Sequence, residues 1–107
     1  MFVNRLEIYN IKFPTEKDAL LERFNYVHNV MNFSHDKILQ HPQILNARLS
    51  RVKNRCEFLK LLGRNQFDEK QPRYVSPQAL YGASDEDFVV NVCESTIEMY
   101  DNFLKTL

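Results

Sequence analysis

Apolar positions recur at helical spacing along most of this chain, and each run closes on a residue that stops a helix. Leu20, Phe24, Val27 and Met31 follow one another at intervals of four, three and four. That spacing predicts one apolar face on a helix spanning about residues 16–31. Thr15 can cap its first amides, and Glu16 and Asp18 suit the positive end of the helix dipole. Ser34 is the next cap, opening a short helix over His35–Gln40 that carries Ile38 and Leu39. Pro42 removes an amide donor and bars the α conformation at His41, so that helix must stop there. Residues 42–45 then predict a tight 3₁₀ turn. Beyond it, Leu45, Leu49, Val52, Cys56 and Leu59 lie within about 80° of arc at 100° per residue. They predict a longer helix over about Ala47–Leu62, closed by Gly63 as a left-handed C-cap.

Residues 64–75, RNQFDEKQPRYV, are polar and contain Pro72, which predicts a loop. Ser76 with Pro77 opens a helix that runs to Tyr81 and ends at Gly82. Ser84 caps a helix over Asp85–Cys93. Ser95 with Glu98 forms a capping box for a last helix, Thr96–Leu107, with Ile97, Tyr100, Phe103 and Leu104 inward. Before Pro14, residues 2–9 predict a short helical remnant with Phe2, Leu6 and Tyr9 on one side. No alternating strand pattern of useful length occurs, so the chain reads as all-α, with about seven short helices.

A unit of helix, short helix, proline-set turn and longer helix cannot bury its apolar faces alone. It needs neighbours on both sides, as the units of a helical solenoid do. At 107 residues the chain is one small domain or a piece of a larger one. Its beginning reads as the end of one structural unit and the start of another. Phe2, Val3 and Leu6, with the apolar side of helix 16–31, are then a face that invites self-association.

Charge changes this picture. The formal total is zero, yet residues 48–73 hold eight basic against three acidic side chains, net +5. Residues 74–107 hold one basic against six acidic, net −5. The basic middle suits a polyanion, or simply keeps a helix face solvated. The acidic end suits a basic protein partner. No apolar run approaches membrane-spanning length.

Catalytic chemistry finds little support. Ser34, His35 and Asp36 are adjacent, and neighbouring helix positions point about 100° apart, which prevents a relay. His28, His35 and His41 lack metal-ligand spacing, and Cys56 and Cys93 read as free, half-buried thiols of a reducing compartment. The two glycines stand nineteen residues apart, so no phosphate-cradling loop forms. Asp85, Glu86 and Asp87 fit the first turn of a helix rather than an acid–base pair. Phe67 and Tyr74 are aromatic enough to stack on bases, but suit anchoring of the polar loop better. No catalytic residue, metal site or cofactor is expected.

Pro42 with Leu45, Val52 and Leu59, at three, ten and seventeen residues beyond it, resembles the repeat signature of the mitochondrial transcription termination factor (mTERF) family. HNVM at 28–31, FLKLLGR at 58–64 with the tyrosine-containing loop after it, and FLKTL at 103–107 resemble the C-terminal third of its animal members, over roughly residues 20–107. The resemblance implies a superhelical array of α-α-3₁₀ units in the mitochondrial matrix. It implies binding of double-stranded mitochondrial DNA or ribosomal RNA along a basic path, in transcription control or ribosome assembly. On that pattern 1–15 ends a preceding repeat, 16–63 is a complete repeat, and 64–107 are C-terminal capping helices.

The residues expected to meet nucleic acid lie on the helix beyond Pro42. Arg48, Arg51 and Arg55 fall within about 60° on one flank, and Lys53, Lys60 and Arg64 on the other. Arginine forks onto phosphate oxygens and lysine supplies point charge. Such contacts give affinity without base choice and weaken steeply with salt.

Overall fold

The computed structural model describes residues 16–107. All regular elements among them are helical. Helix α1 (Glu16–Asn25) runs into a π-turn, Tyr26–Val30. Helix α2 (His35–Gln40) and the 3₁₀ turn Pro42–Leu45 follow. Then come α3 (Leu49–Leu61), α4 (Gln78–Tyr81), a second π-turn (Asp87–Val92) and α5 (Ile97–Leu104). The cap at Thr15, the remnant at 2–9 with Phe2, Val3 and Leu6, and the unit 1–15 lie outside the described residues.

Local chemistry fixes the breaks. Ser34 Oγ accepts the Lys37 amide at 3.1 Å and starts α2. Pro42 sits at the first position of the 3₁₀ turn, as its missing donor requires. Gly63, at φ 70°, terminates α3: its own amide donates to Lys60 O at 3.0 Å and the Arg64 amide to Leu59 O at 2.8 Å. Those two bonds satisfy carbonyls that the helix end leaves open.

Two departures from the predicted helices have one cause. Met31 donates to Tyr26 O at 3.0 Å, Phe33 donates to Val27 O at 3.1 Å, and Asn32 between them has φ 61°. Sixty-two residues later, Cys93 donates to Phe88 O and Ser95 to Val89 O, both at 2.9 Å, around Glu94 at φ 55°. Each turn takes in one extra residue and then reverses the chain. The second turn takes up the Ser95 amide that a capping box would offer to Glu98, and Ser95 does not cap α5. Thr96, extended at φ −122° and ψ 153°, does so instead, accepting the Met99 amide at 3.2 Å. The expected Ser95–Glu98 capping box is thus not formed, and the N-cap lies one position later, at Thr96.

The core lies between α3 and the C-terminal elements. Phe58, Leu59, Leu80, Phe88 and Val89 are fully buried, with Val52, Tyr100 and Cys93 beside them. The Phe58 ring meets Tyr100 edge-on at 5.0 Å and Phe103 at 5.3 Å. Full burial of such side chains contributes about 1.5–3 kcal/mol each. On the N-terminal side, Val27, Phe33, Ile38 and Ile44 continue the same core. Leu39 is 75% exposed and Ile97 36% exposed, against the inward placement read for Ile97. A six-residue helix buries one side only, and Ile38 takes it. Arg23 Nε donates to Leu45 O, and Lys37 Nζ to Phe67 O. These bonds tie the 3₁₀ turn and the polar loop to the first two helices.

Candidate nucleic-acid interface

Helix α3 places the six expected cations in two groups. Arg48 sits in extended backbone at its N-cap, φ −66° and ψ 127°, and its carbonyl accepts the amides of Arg51 and Val52 at 3.0 and 3.2 Å. The side chains of Arg48, Arg51 and Lys53 are exposed. None of the three forms an ion pair with a described residue. Arg48 and Arg51 project from one flank, about 60° apart. Lys53 projects from the opposite flank, about 160° from Arg51, with the buried Val52 between them.

The other three turn inward or pair. Arg55 was expected on the phosphate-facing flank, and the structure corrects that: it is 1% exposed. Its Nη1 donates to Ala79 O at 2.9 Å and its Nη2 to Asp85 Oδ1 at 2.9 Å. The guanidinium lies over the Phe88 ring at 5.1 Å, and Nε has no hydrogen-bond partner among the described residues. Arg55 stands about 60° from Val52, at the margin of the buried face, and the core closes over it. Arg64 follows the helix end, where Nη1 donates to Cys93 O at 3.0 Å and meets Glu94 Oε1 at 3.3 Å. That bond holds the Glu94 carboxyl below the usual carboxylate range. Lys60 pairs with Glu57 at 3.3 Å on the surface.

Arg55 also reassigns Asp85. The sequence reading gave that carboxylate to the helix dipole, whereas it receives the buried guanidinium. Cys56 and Cys93 are free, as expected, but buried rather than half-buried. Burial raises both thiols, Cys93 from 9.0 to about 11. Thiols so placed stay protonated at neutral pH and are poor nucleophiles. Among the described residues no group of histidine, cysteine and carboxylate side chains has the geometry of a metal site. No described helix is long and apolar enough to cross a membrane.

No family model matches the chain. Three curated relatives do. Transcription termination factor 3, mitochondrial, of Drosophila melanogaster is 45% identical over 89 residues, which are 83% of this chain and 25% of that protein. The proteins of the same name from Rattus norvegicus and Mus musculus are each 41% identical, over 85% and 82% of this chain. This chain belongs to the mTERF family. It is a mitochondrial protein with the helical-repeat character of that family, and it spans about a quarter or less of the relatives' length.

Membership leaves unexplained a cation that the sequence reading passed over. Arg73 lies in the polar loop of this mTERF chain at φ 64°, next to the exposed Tyr74. Composition counts Arg73 in the basic middle, but only backbone geometry sets it apart from the other cations.

Proposed function

We propose that this chain is part of a mitochondrial regulator that binds nucleic acid, double-stranded mitochondrial DNA or ribosomal RNA, in transcription control or ribosome assembly. Arg48 and Arg51 hold phosphates on one flank of α3, and Lys53 adds charge on the other. Residues 16–63 act as one repeat and 64–107 as the capping helices of the longer protein, in the mitochondrial matrix. The role is regulatory rather than catalytic. The observation that carries the reading is a pair of exposed arginines with no ion-pair partner among the described residues, in a chain 41–45% identical to proteins named for transcription termination.

Arginines free of internal partners reach phosphate without breaking the fold. The test is binding of labelled duplex DNA and of a structured ribosomal RNA at about 50 and 200 mM salt. Retention at low salt should collapse at high salt. Arg48→Ala with Arg51→Ala should reduce the slope of log K against log salt by about two. No binding at low salt, or an unchanged slope in the double variant, overturns the reading.

A protein partner is the second reading. Glu86, Glu98 and Asp101 are exposed and form no ion pair with a described residue. In that case a basic protein docks on the capping helices. Leu20 and Leu21, 42% and 50% exposed, support self-association through the N-terminal side. Light scattering at high concentration should then show species above the monomer mass.

A further inference from the structure

A cleft of about 290 Å³ opens where the polar loop meets α4 and the second π-turn. Arg64, Arg73, Tyr74, Ser76, Asn91 and Glu94 supply its polar lining. Their chemistry is uneven. Arg64 is committed to Cys93 O and Glu94, which neutralises that carboxylate. Arg73 forms no hydrogen bond or ion pair with a described residue. Its charge acts on Glu94 only across space. The cleft therefore keeps one uncommitted guanidinium and a net charge of about +1.

Tyr74 stands 37% exposed with no ring stacked on it by a described residue. The other aromatic of the same loop, Phe67, is used up against Phe33, edge-on at 5.2 Å. Arg73 and Tyr74 are thus unlike their neighbours: one holds an unspent charge and the other an unspent π-face. Arg73 also holds a left-handed backbone that non-glycine residues seldom adopt, the kind of outlier that accompanies binding sites. The cleft lies just below the usual size range of small-molecule pockets, which suits one planar ring system and its phosphate.

We propose that this cleft takes a single unpaired nucleotide of a nucleic-acid strand, its base stacked on Tyr74 and its phosphate on Arg73. The inference rests on the reading that the chain binds nucleic acid, and adds to it a contact that duplex cannot make. Paired bases hide their faces in the stack, whereas an unpaired base offers its face to an aromatic side chain. Arg48 and Arg51 then give duplex or backbone affinity, and the cleft prefers strands with a base to spare.

The test compares four probes on the 107-residue chain: a ten-nucleotide single-stranded uridine RNA, an abasic strand of the same length and charge, a blunt DNA duplex, and free uridine monophosphate. The uridine strand should bind about tenfold more tightly than the abasic one. Tyr74→Ala should remove that preference and leave the duplex affinity unchanged, while Tyr74→Phe keeps it. Arg73→Gly, which suits the positive φ, should weaken both strands and lower the salt slope by about one. Equal binding of the two strands, or a preference that survives Tyr74→Ala, overturns the proposal. Equal strands with duplex binding intact overturn it alone, leaving the broader reading standing. Base-dependent strand binding without duplex binding overturns the duplex reading alone, and no binding at all overturns both. Tyr74-dependent binding of free uridine monophosphate without a strand preference assigns the cleft to free nucleotides and overturns the strand.

Discussion

The two halves of α3 carry the same kind of charge and use it differently. In the first turns, Arg48, Arg51 and Lys53 stand in solvent without partners among the described residues. From Arg55 onward, the cations have partners within the protein: Arg55 binds Ala79 O and Asp85, Arg64 binds Cys93 O and Glu94, and Lys60 pairs with Glu57 on the surface. The difference follows from what packs alongside. The second half of α3 meets α4, the second π-turn and α5, whose carbonyls and carboxylates need donors. The first half follows the 3₁₀ turn in the chain, whose Leu45 carbonyl is already served by Arg23. A basic stripe in sequence thus divides into a structural portion and a portion free for a ligand.

Substitutions can break this division, and the largest effect belongs to Arg55. Arg55→Ala should destabilise the fold by about 2–4 kcal/mol, because it strips a donor from the buried Ala79 carbonyl and leaves a void beside Phe88. Chemical denaturation should show the loss as a lower midpoint. A midpoint within error of the parent would mean that the buried guanidinium contributes little. Arg64→Ala should cost about 1 kcal/mol by the same measurement, since its site is partly open to water. Arg51→Ala should stay within about 0.5 kcal/mol, as befits an exposed side chain that pairs with no described residue. If Arg51→Ala destabilises as much as Arg64→Ala, the division between the halves is wrong.

Acid sharpens the same comparison. The Arg64 hydrogen bond lowers the Glu94 carboxyl in the folded state relative to the unfolded chain. Its contribution is therefore present above the ordinary carboxylate value of 4.5. It fades as pH falls through the lowered folded value. Thermal melts from neutral to acid pH should show parent and Glu94→Gln differing at pH 6 and converging in acid. The smallest effect is expected at Lys60→Ala, below about 0.5 kcal/mol, because its pair with Glu57 is exposed and screened.

What the sequence made legible was local. Ser34, Pro42 and Gly63 act within a few residues of themselves, so cap, turn and terminator were read at their observed positions. Arg55 acts on Ala79 and Asp85, 24 and 30 residues away, and nothing in its neighbourhood announces that. A helical projection puts it at the border of the apolar arc, where tertiary packing decides burial. The π-turns escaped for a related reason. One extra residue per turn leaves the apolar pattern intact up to the break, and after the second turn the cap falls at Thr96 rather than Ser95. Of the candidate interface, Arg48, Arg51 and Lys53 were recognisable as exposed from their positions. Tyr74 was legible as a ring that could stack on a base but was read as a loop anchor, and Arg73 was visible only as one of the basic residues of that loop.

The paired reversals at Asn32 and Glu94 have a consequence for mutational tolerance. Both positions adopt the same left-handed geometry, but asparagine settles there with less steric conflict than glutamate. Glu94 sets its bond to Arg64 against that conflict, so the two corners should accept replacements by different rules. Asn32 can yield to glycine with little lost, whereas exchanging Glu94 for asparagine relaxes the main chain and at the same moment leaves the Arg64 guanidinium with the Cys93 carbonyl alone.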